Sequence, residues 1–108
     1  MSYRNEVLRN LNIPPLSLTQ EQTEILLGVV GLSGEAGEAL EVVKKHIFHG
    51  KPLDREKLIL ELGDICWYLE ESFNALGVTR EEVEQKNTDK LRKRYPDGFK
   101  QEKAEWKF

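Results

Sequence analysis

The stretch GLSGEAGEAL, residues 31–40, decides the fold. It lies within an apolar repeat of Ile25, Val29, Leu32, Ala36, Ala39, Val43 and Ile47, whose steps of three and four residues are those of a helix burying one side. Yet it carries glycine at positions 31, 34 and 37, and Gly28 extends the series one step back. Each glycine costs a helix interior about 1 kcal/mol relative to alanine. Geometry gives a reason to tolerate them: at roughly 100° per residue, Gly28, Gly31 and Gly34 share a flank with Glu35 and Glu38. That flank is stripped of bulk beside its acids. It predicts close approach by a neighbouring helix, or by a ligand bound to whatever the acids hold.

Working outward, Thr19 and Gln22 are placed as a capping box that opens this helix near residue 19, and Gly50 followed by Pro52 ends it near residue 48. Asp54 caps a second helix with the stripe Leu58, Leu62, Ile65, Leu69, Phe73 and Leu76, closed by Gly77. TREE at 79–82 reads as another capping box, opening a third helix that ends near Tyr95-Pro96. Upstream, residues 3–11 form a short amphipathic helix, and Pro14 and Pro15 break the pattern. No strand alternation occurs. The expectation is an all-α fold: an antiparallel helical bundle of one short N-terminal helix and three longer ones, assembled as an oligomer, since a chain this small buries little by itself. Residues 1–99 make a single domain. Residues 100–108, with Trp106 and Phe108, make a tail or an arm onto a partner chain.

Charged residues make up 32% of the 108 and apolar ones 39%, a composition of ordered rather than disordered chains. No apolar run approaches the roughly 20 residues that span a bilayer, the start lacks a signal-peptide core, and the lone Cys66 allows no internal disulfide. These features predict a cytoplasmic protein. The net charge of −3 is uneven: residues 86–108 hold eight of the sixteen Lys and Arg against four acids, a balance of +4 that leaves −7 for the remainder. A nucleic-acid binder is ordinarily basic overall. An acidic body with a basic segment suits a metal-dependent site for a small polyanion, or simply solvated helix faces.

Glu35 and Glu38 lie one turn apart, as do Glu61 and Asp64 in ELGDICWYL. Glu-x-x-Glu alone carries little weight, for it also occurs at 21/24, 38/41, 81/84 and 102/105. The 35/38 and 61/64 pairs differ in their small and apolar neighbours. If the two helices pack side by side, the four carboxylates converge. They are then either metal ligands or exposed flanks, or partners of Lys44, Lys45 or Lys90 in ion pairs. An all-oxygen set fits Mg²⁺ or Mn²⁺ rather than zinc. On the following helix Asn87, Lys90 and Arg94 share a face, where an amide and two cations suit phosphate and sugar oxygens or else decorate a helix end. His46 and His49 have no obvious third metal partner and suit dipole or capping roles. Cys66 falls near the apolar stripe and is expected in the core, with Trp67 and Tyr68 as packing aromatics. The di-iron carboxylate pattern Glu-x-x-His is absent, because Val43 precedes His46 and His46 precedes His49 at that spacing.

Taken together, GEAGEALEVVKK, FHGKPLDREKLILELGDICWYL and NTDKLRKRYPDGF closely resemble the MazG-like nucleotide pyrophosphohydrolases of the all-α NTP pyrophosphatase superfamily, over residues 20–99. The resemblance implies a homodimer or homotetramer that hydrolyses nucleoside triphosphates between the α and β phosphates with Mg²⁺, or Mn²⁺ as substitute. It implies Glu35, Glu38, Glu61 and Asp64 as metal ligands, with Glu38 and Glu35 the catalytic candidates. Asn87 and Lys90 fall at nucleotide-contacting positions, with Arg94 and Tyr95 in the same substrate-binding segment. It implies neither a nucleic-acid nor a membrane partner. Many members have an acid just before the first motif glutamate, where this chain has Gly34. The alternative expectation is a non-catalytic oligomeric bundle whose acids hold a structural ion.

Overall fold

The computed structural model describes residues 2–12 and 16–98. Pro14, Pro15 and the proposed 100–108 arm with Trp106 and Phe108 lie outside those residues. Four helices and no strand make up the described chain: α1 (Tyr3–Asn10), α2 (Gln20–His49), α3 (Arg55–Leu76) and α4 (Arg80–Arg94).

The helix boundaries follow from local chemistry. At the start of α2 the capping box is complete: Thr19 Oγ1 accepts from the Gln22 N–H at 3.1 Å, and Gln22 Oε1 accepts from the Thr19 N–H at 3.0 Å. Asp54 caps α3 through the Lys57 N–H at 3.1 Å. At α4 the forward half of the expected box is formed, Thr79 Oγ1 accepting from the Glu82 N–H at 3.2 Å. Gly50 and Gly77 end α2 and α3 in the left-handed region, with φ of 66° and 69°, which a side chain would oppose.

Among the described residues, α2 and α3 are the pair of elements that packs extensively; α1 and α4 stand largely away from it. Gly28 meets Ser72, Gly31 meets Tyr68, and Glu35 meets Glu61 and Asp64, so positions that rise along α2 are matched by positions that fall along α3. The contact face of α2 is therefore the glycine flank, with Gly28 and Val42 buried and Leu32, Glu35 and Ala39 half-buried. A neighbouring helix at Gly28 and Gly31 is one of the two outcomes expected for this flank, whereas the apolar stripe, expected to be the buried side, is not the face that α3 covers. The apolar stripe is centred roughly 60–100° around the helix from that face, and only its near edge is covered. Glycine allows the closest approach, so α3 settles where side-chain bulk is least.

The result is a pair of helices with two unlike sides. On one side Val29, Leu40, Val43 and Ile47 of α2 and Ile59 and Leu62 of α3 remain exposed, Leu40 at 66% and Ile47 at 62%. Cys66 is exposed on that same side rather than in a core. The other side carries Glu38 and Lys45 of α2 and Lys57 and Asp64 of α3. Val42 and Phe73 are the buried apolar side chains among the described residues. The expected bundle is thus not closed within one chain. Trp67 is 71% exposed rather than packed among the described residues.

The glycines divide into two kinds. A Cβ on Gly28 would lie 3.2 Å from the Ser72 Cα and backbone nitrogen, and one on Gly31 would enter the Tyr68 ring, with Cζ at 2.6 Å, whereas Gly34 and Gly37 face open space. Gly28→Ala is expected to destabilise the fold by about 1–3 kcal/mol, because the Ser72 backbone cannot yield without separating the helices. Gly37→Ala is expected to stabilise it by about 0.5–1 kcal/mol through helix propensity. Urea unfolding of both variants reads the contrast directly; equal effects of one sign would contradict this packing.

Candidate metal centre

The close approach at Gly28 and Gly31 brings acids together one and two turns further along. A carboxylate oxygen from each of Glu35, Glu61 and Asp64 lies within 4.8 Å of the others. Glu35 and Glu61 are half-buried and Asp64 is exposed. No ion pair to Lys44, Lys45 or Lys90, the alternative the sequence left open, forms among the described residues.

The crowding has an electrostatic consequence. A side-chain hydrogen bond with Glu61, then partial burial, then the charges of Asp64, Glu61 and Glu38, raise the Glu35 carboxyl from an ordinary 4.5 to about 7. Like charges at this separation favour one shared proton over two full charges. The folded chain therefore holds that proton more tightly than the unfolded chain does. Without metal, stability contributed by this group is present below pH 4.5 and is lost as pH rises from 4.5 through about 7. A divalent cation competes with the proton, so its affinity rises across the upper part of that window. Thermal unfolding at pH 5, 6, 7 and 8, with and without MgCl₂, is expected to show the stabilisation by metal growing with pH; a constant difference would contradict the shared proton.

Glu38 stands outside the group of three. It faces a neighbouring cavity of about 400 Å³ at the end of the helix pair where the turn of residues 50–54 joins α2 to α3, lined also by Glu41, Val42, Lys45, Lys51, Pro52, Asp54 and Lys57. Its charge still reaches Glu35. Lys51 and Lys57 of this cavity escaped the sequence reading, and Lys45 entered it only as an ion-pair partner, although one signal was available: Lys57 precedes Glu61 by four residues and so shares its face. His46, whose expected role was capping, binds the adjacent turn, its Nδ1 lying 2.7 Å from the Lys51 carbonyl oxygen.

The expected substrate-binding residues lie elsewhere. Asn87 and Lys90 line a shallow hollow on α4 with Val83, Glu84 and Lys86. Tyr95 lines another with Thr88, Leu91, Arg92 and Gly98, and the Arg94 guanidinium lies 5.4 Å from the Tyr95 ring centre. The start of α4 is tied to α3 by Arg80, which lies 3.4 Å from Glu70 and 5.1 Å from the Phe73 ring centre. One chain does not bring the α4 groups onto the acids.

The acids and the α4 cations occur in one order on successive helices, within a chain that is similar to known proteins. The Gene 37 protein of Mycobacterium phage L5 is 38% identical over 73 residues, which cover 64% of this chain and 64% of that protein. No solved structure matches the chain. The model of the MazG nucleotide pyrophosphohydrolase domain matches residues 19–99, from the capping residue of α2 past the end of α4, and the protein belongs to that family.

Proposed function

We propose that the protein is a Mg²⁺-dependent hydrolase that cleaves nucleoside or deoxynucleoside triphosphates to the monophosphate and pyrophosphate, in the upkeep of the nucleotide pool. The observation that carries this reading is the meeting of Glu35, Glu61 and Asp64 on the helix pair of a chain that belongs to this family. Oxygen donors without Cys or His fit a hard cation, Mg²⁺ with Mn²⁺ as substitute. The excess negative charge that Glu35 relieves by taking a proton is the charge a divalent cation neutralises. Glu35, Glu61 and Asp64 would hold it, with Glu38 one turn from Glu35. Bound there, the ion offsets the charge of the triphosphate and polarises its phosphorus–oxygen bonds.

The chain's own groups do the rest. The Glu38 carboxylate takes a proton from the attacking water, and Glu35 is the second candidate for that role. The water oxygen bonds to the α-phosphorus as the bond to the bridging oxygen breaks, and pyrophosphate departs with that oxygen. Asn87 and Lys90 hold sugar and phosphate oxygens, with Arg94 and Tyr95 beside them. These groups reach the acids in a homodimer or homotetramer, where the exposed apolar side of α2 and α3 meets a second copy and closes an antiparallel bundle. The reading puts the protein in the cytoplasm, with its nucleotide substrates. No helix among the described residues is long and apolar enough to cross a membrane.

The test is product analysis with Mg²⁺ over a panel of canonical and modified nucleotides. Monophosphate plus pyrophosphate, abolished by EDTA, is the expected result. Metal-dependent stability with no turnover of any nucleotide would favour a non-catalytic bundle with a structural ion.

A further inference from the structure

We propose that the cavity at the joined end of the α2–α3 pair, beside the turn of residues 50–54, holds the terminal two phosphates of the substrate and the pyrophosphate they become, with Lys45 and Lys51 as its principal anion-binding groups. The inference rests on the hydrolase reading above for the identity of the anion, and on the cavity itself for its place.

Position is the first argument. Glu38 forms one wall of the cavity and lies one turn from Glu35 on α2, and Lys57 forms another and lies one turn from Glu61 on α3, so the cavity adjoins the carboxylate cluster. On α3 the step from Glu61 to Lys57 is one turn, about 6 Å along the axis. A triphosphate whose α-phosphorus lies at the acids extends its remaining phosphates along this line. The volume of about 400 Å³ falls within the range of small-molecule sites, roughly 300–1,000 Å³.

Charge is the second. Lys45, Lys51 and Lys57 share the cavity with Glu38, Glu41 and Asp54, yet none of these lysines forms an ion pair among the described residues. Asp54 is engaged as the α3 cap, accepting from the Lys57 N–H at 3.1 Å. Glu38 stands outside the group of three and faces the cavity. The three ammonium groups equal the three carboxylates in number, and with no ion pair formed the lysines can turn to a bound polyanion.

Preorganisation is the third. The backbone of Lys51 is pinned from both directions: its N–H donates to the Lys45 carbonyl at 3.3 Å, and its carbonyl accepts from His46 Nδ1–H at 2.7 Å. Gly50, at φ 66°, makes the preceding turn, and Pro52 restricts the backbone of Lys51, which it follows. The turn that carries Lys51 is therefore held over the end of α2 rather than left to fluctuate, and two lysines six residues apart are kept at one cavity.

Calorimetric titration of inorganic pyrophosphate, with MgCl₂ present, into the full chain and into the Lys45→Ala/Lys51→Ala variant tests this. Both side chains are exposed, and thermal unfolding confirms that the variant is folded. The parent is expected to bind pyrophosphate, and each lysine lost is expected to weaken binding by about tenfold. Nucleoside monophosphate binding should hold steady, and Lys45→Arg/Lys51→Arg should recover pyrophosphate binding. No binding of pyrophosphate by the parent, or equal binding by the alanine variant, overturns the proposal. Hydrolysis assayed in parallel separates the two readings. Lysine-dependent pyrophosphate binding without turnover of any nucleotide sinks the hydrolase and keeps the site. Turnover with lysine-independent pyrophosphate binding sinks the site and keeps the hydrolase.

Discussion

Glu38→Gln is expected to lower Mg²⁺-dependent turnover by about 10²–10⁴-fold, the usual contribution of a positioned general base, while leaving most of the stabilisation by Mg²⁺ in place. The two effects separate because Glu38 lies outside the group formed by Glu35, Glu61 and Asp64. Asp64→Asn should behave differently. It removes a charged donor from that group, so both turnover and the metal-dependent rise in Tm should fall together. Glutamine and asparagine keep shape and hydrogen-bonding capacity, so neither change opens a gap in the helix pair. Measuring kcat and the Tm shift on the same samples distinguishes the roles. A Glu38→Gln variant with undiminished kcat would exclude this residue as the base and move the assignment to Glu35.

A charge placed on the apolar side of the helix pair is expected to dismantle the protein. Burying Leu62 or Val43 completely is worth about 1.5–3 kcal/mol each. Within the single chain Leu62 is 49% exposed, and Leu40 and Ile47 are more so. Two buried apolar side chains among the described residues are too few to offset the ordering of four helices, which costs about 1–2 kcal/mol per residue in backbone entropy. The proposed second copy would supply the remaining burial, and Tm should then rise with protein concentration. Leu62→Glu in the dimer or tetramer would bury a charge beside its symmetry mate. Light scattering should show loss of the oligomer, and circular dichroism should show loss of cooperative unfolding at the same concentration. A monomeric parent with a concentration-independent Tm would contradict the proposed assembly.

The helices themselves were legible because their determinants are local. Thr19 with Gln22, Asp54 with the Lys57 N–H, and the left-handed Gly50 and Gly77 act within three or four residues, and each stands where the sequence puts it. The acid pairs were legible for the same reason, since one-turn spacing is a local property. Periodicity was less reliable about direction. An amphipathic stripe states which side of a helix wants cover, not which partner supplies it. Here the stripe of α2 was read as the buried side, and it proved to flank the face that α3 covers. Cys66 was expected inside on the same logic and is exposed.

The sequence by itself determined four helices, their ends, and two pairs of carboxylates on α2 and α3, since each depends on residues within one or two turns. Only the tertiary structure decided which flanks meet. Gly28 and Gly31 lie against Ser72 and Tyr68, and that close approach sets the register bringing Glu35 to Glu61 and Asp64 while turning Glu38 toward a lysine-lined cavity. The physical reason is that register and facing depend on the fit of two surfaces distant in the chain, where a missing Cβ counts as much as a hydrophobic side chain.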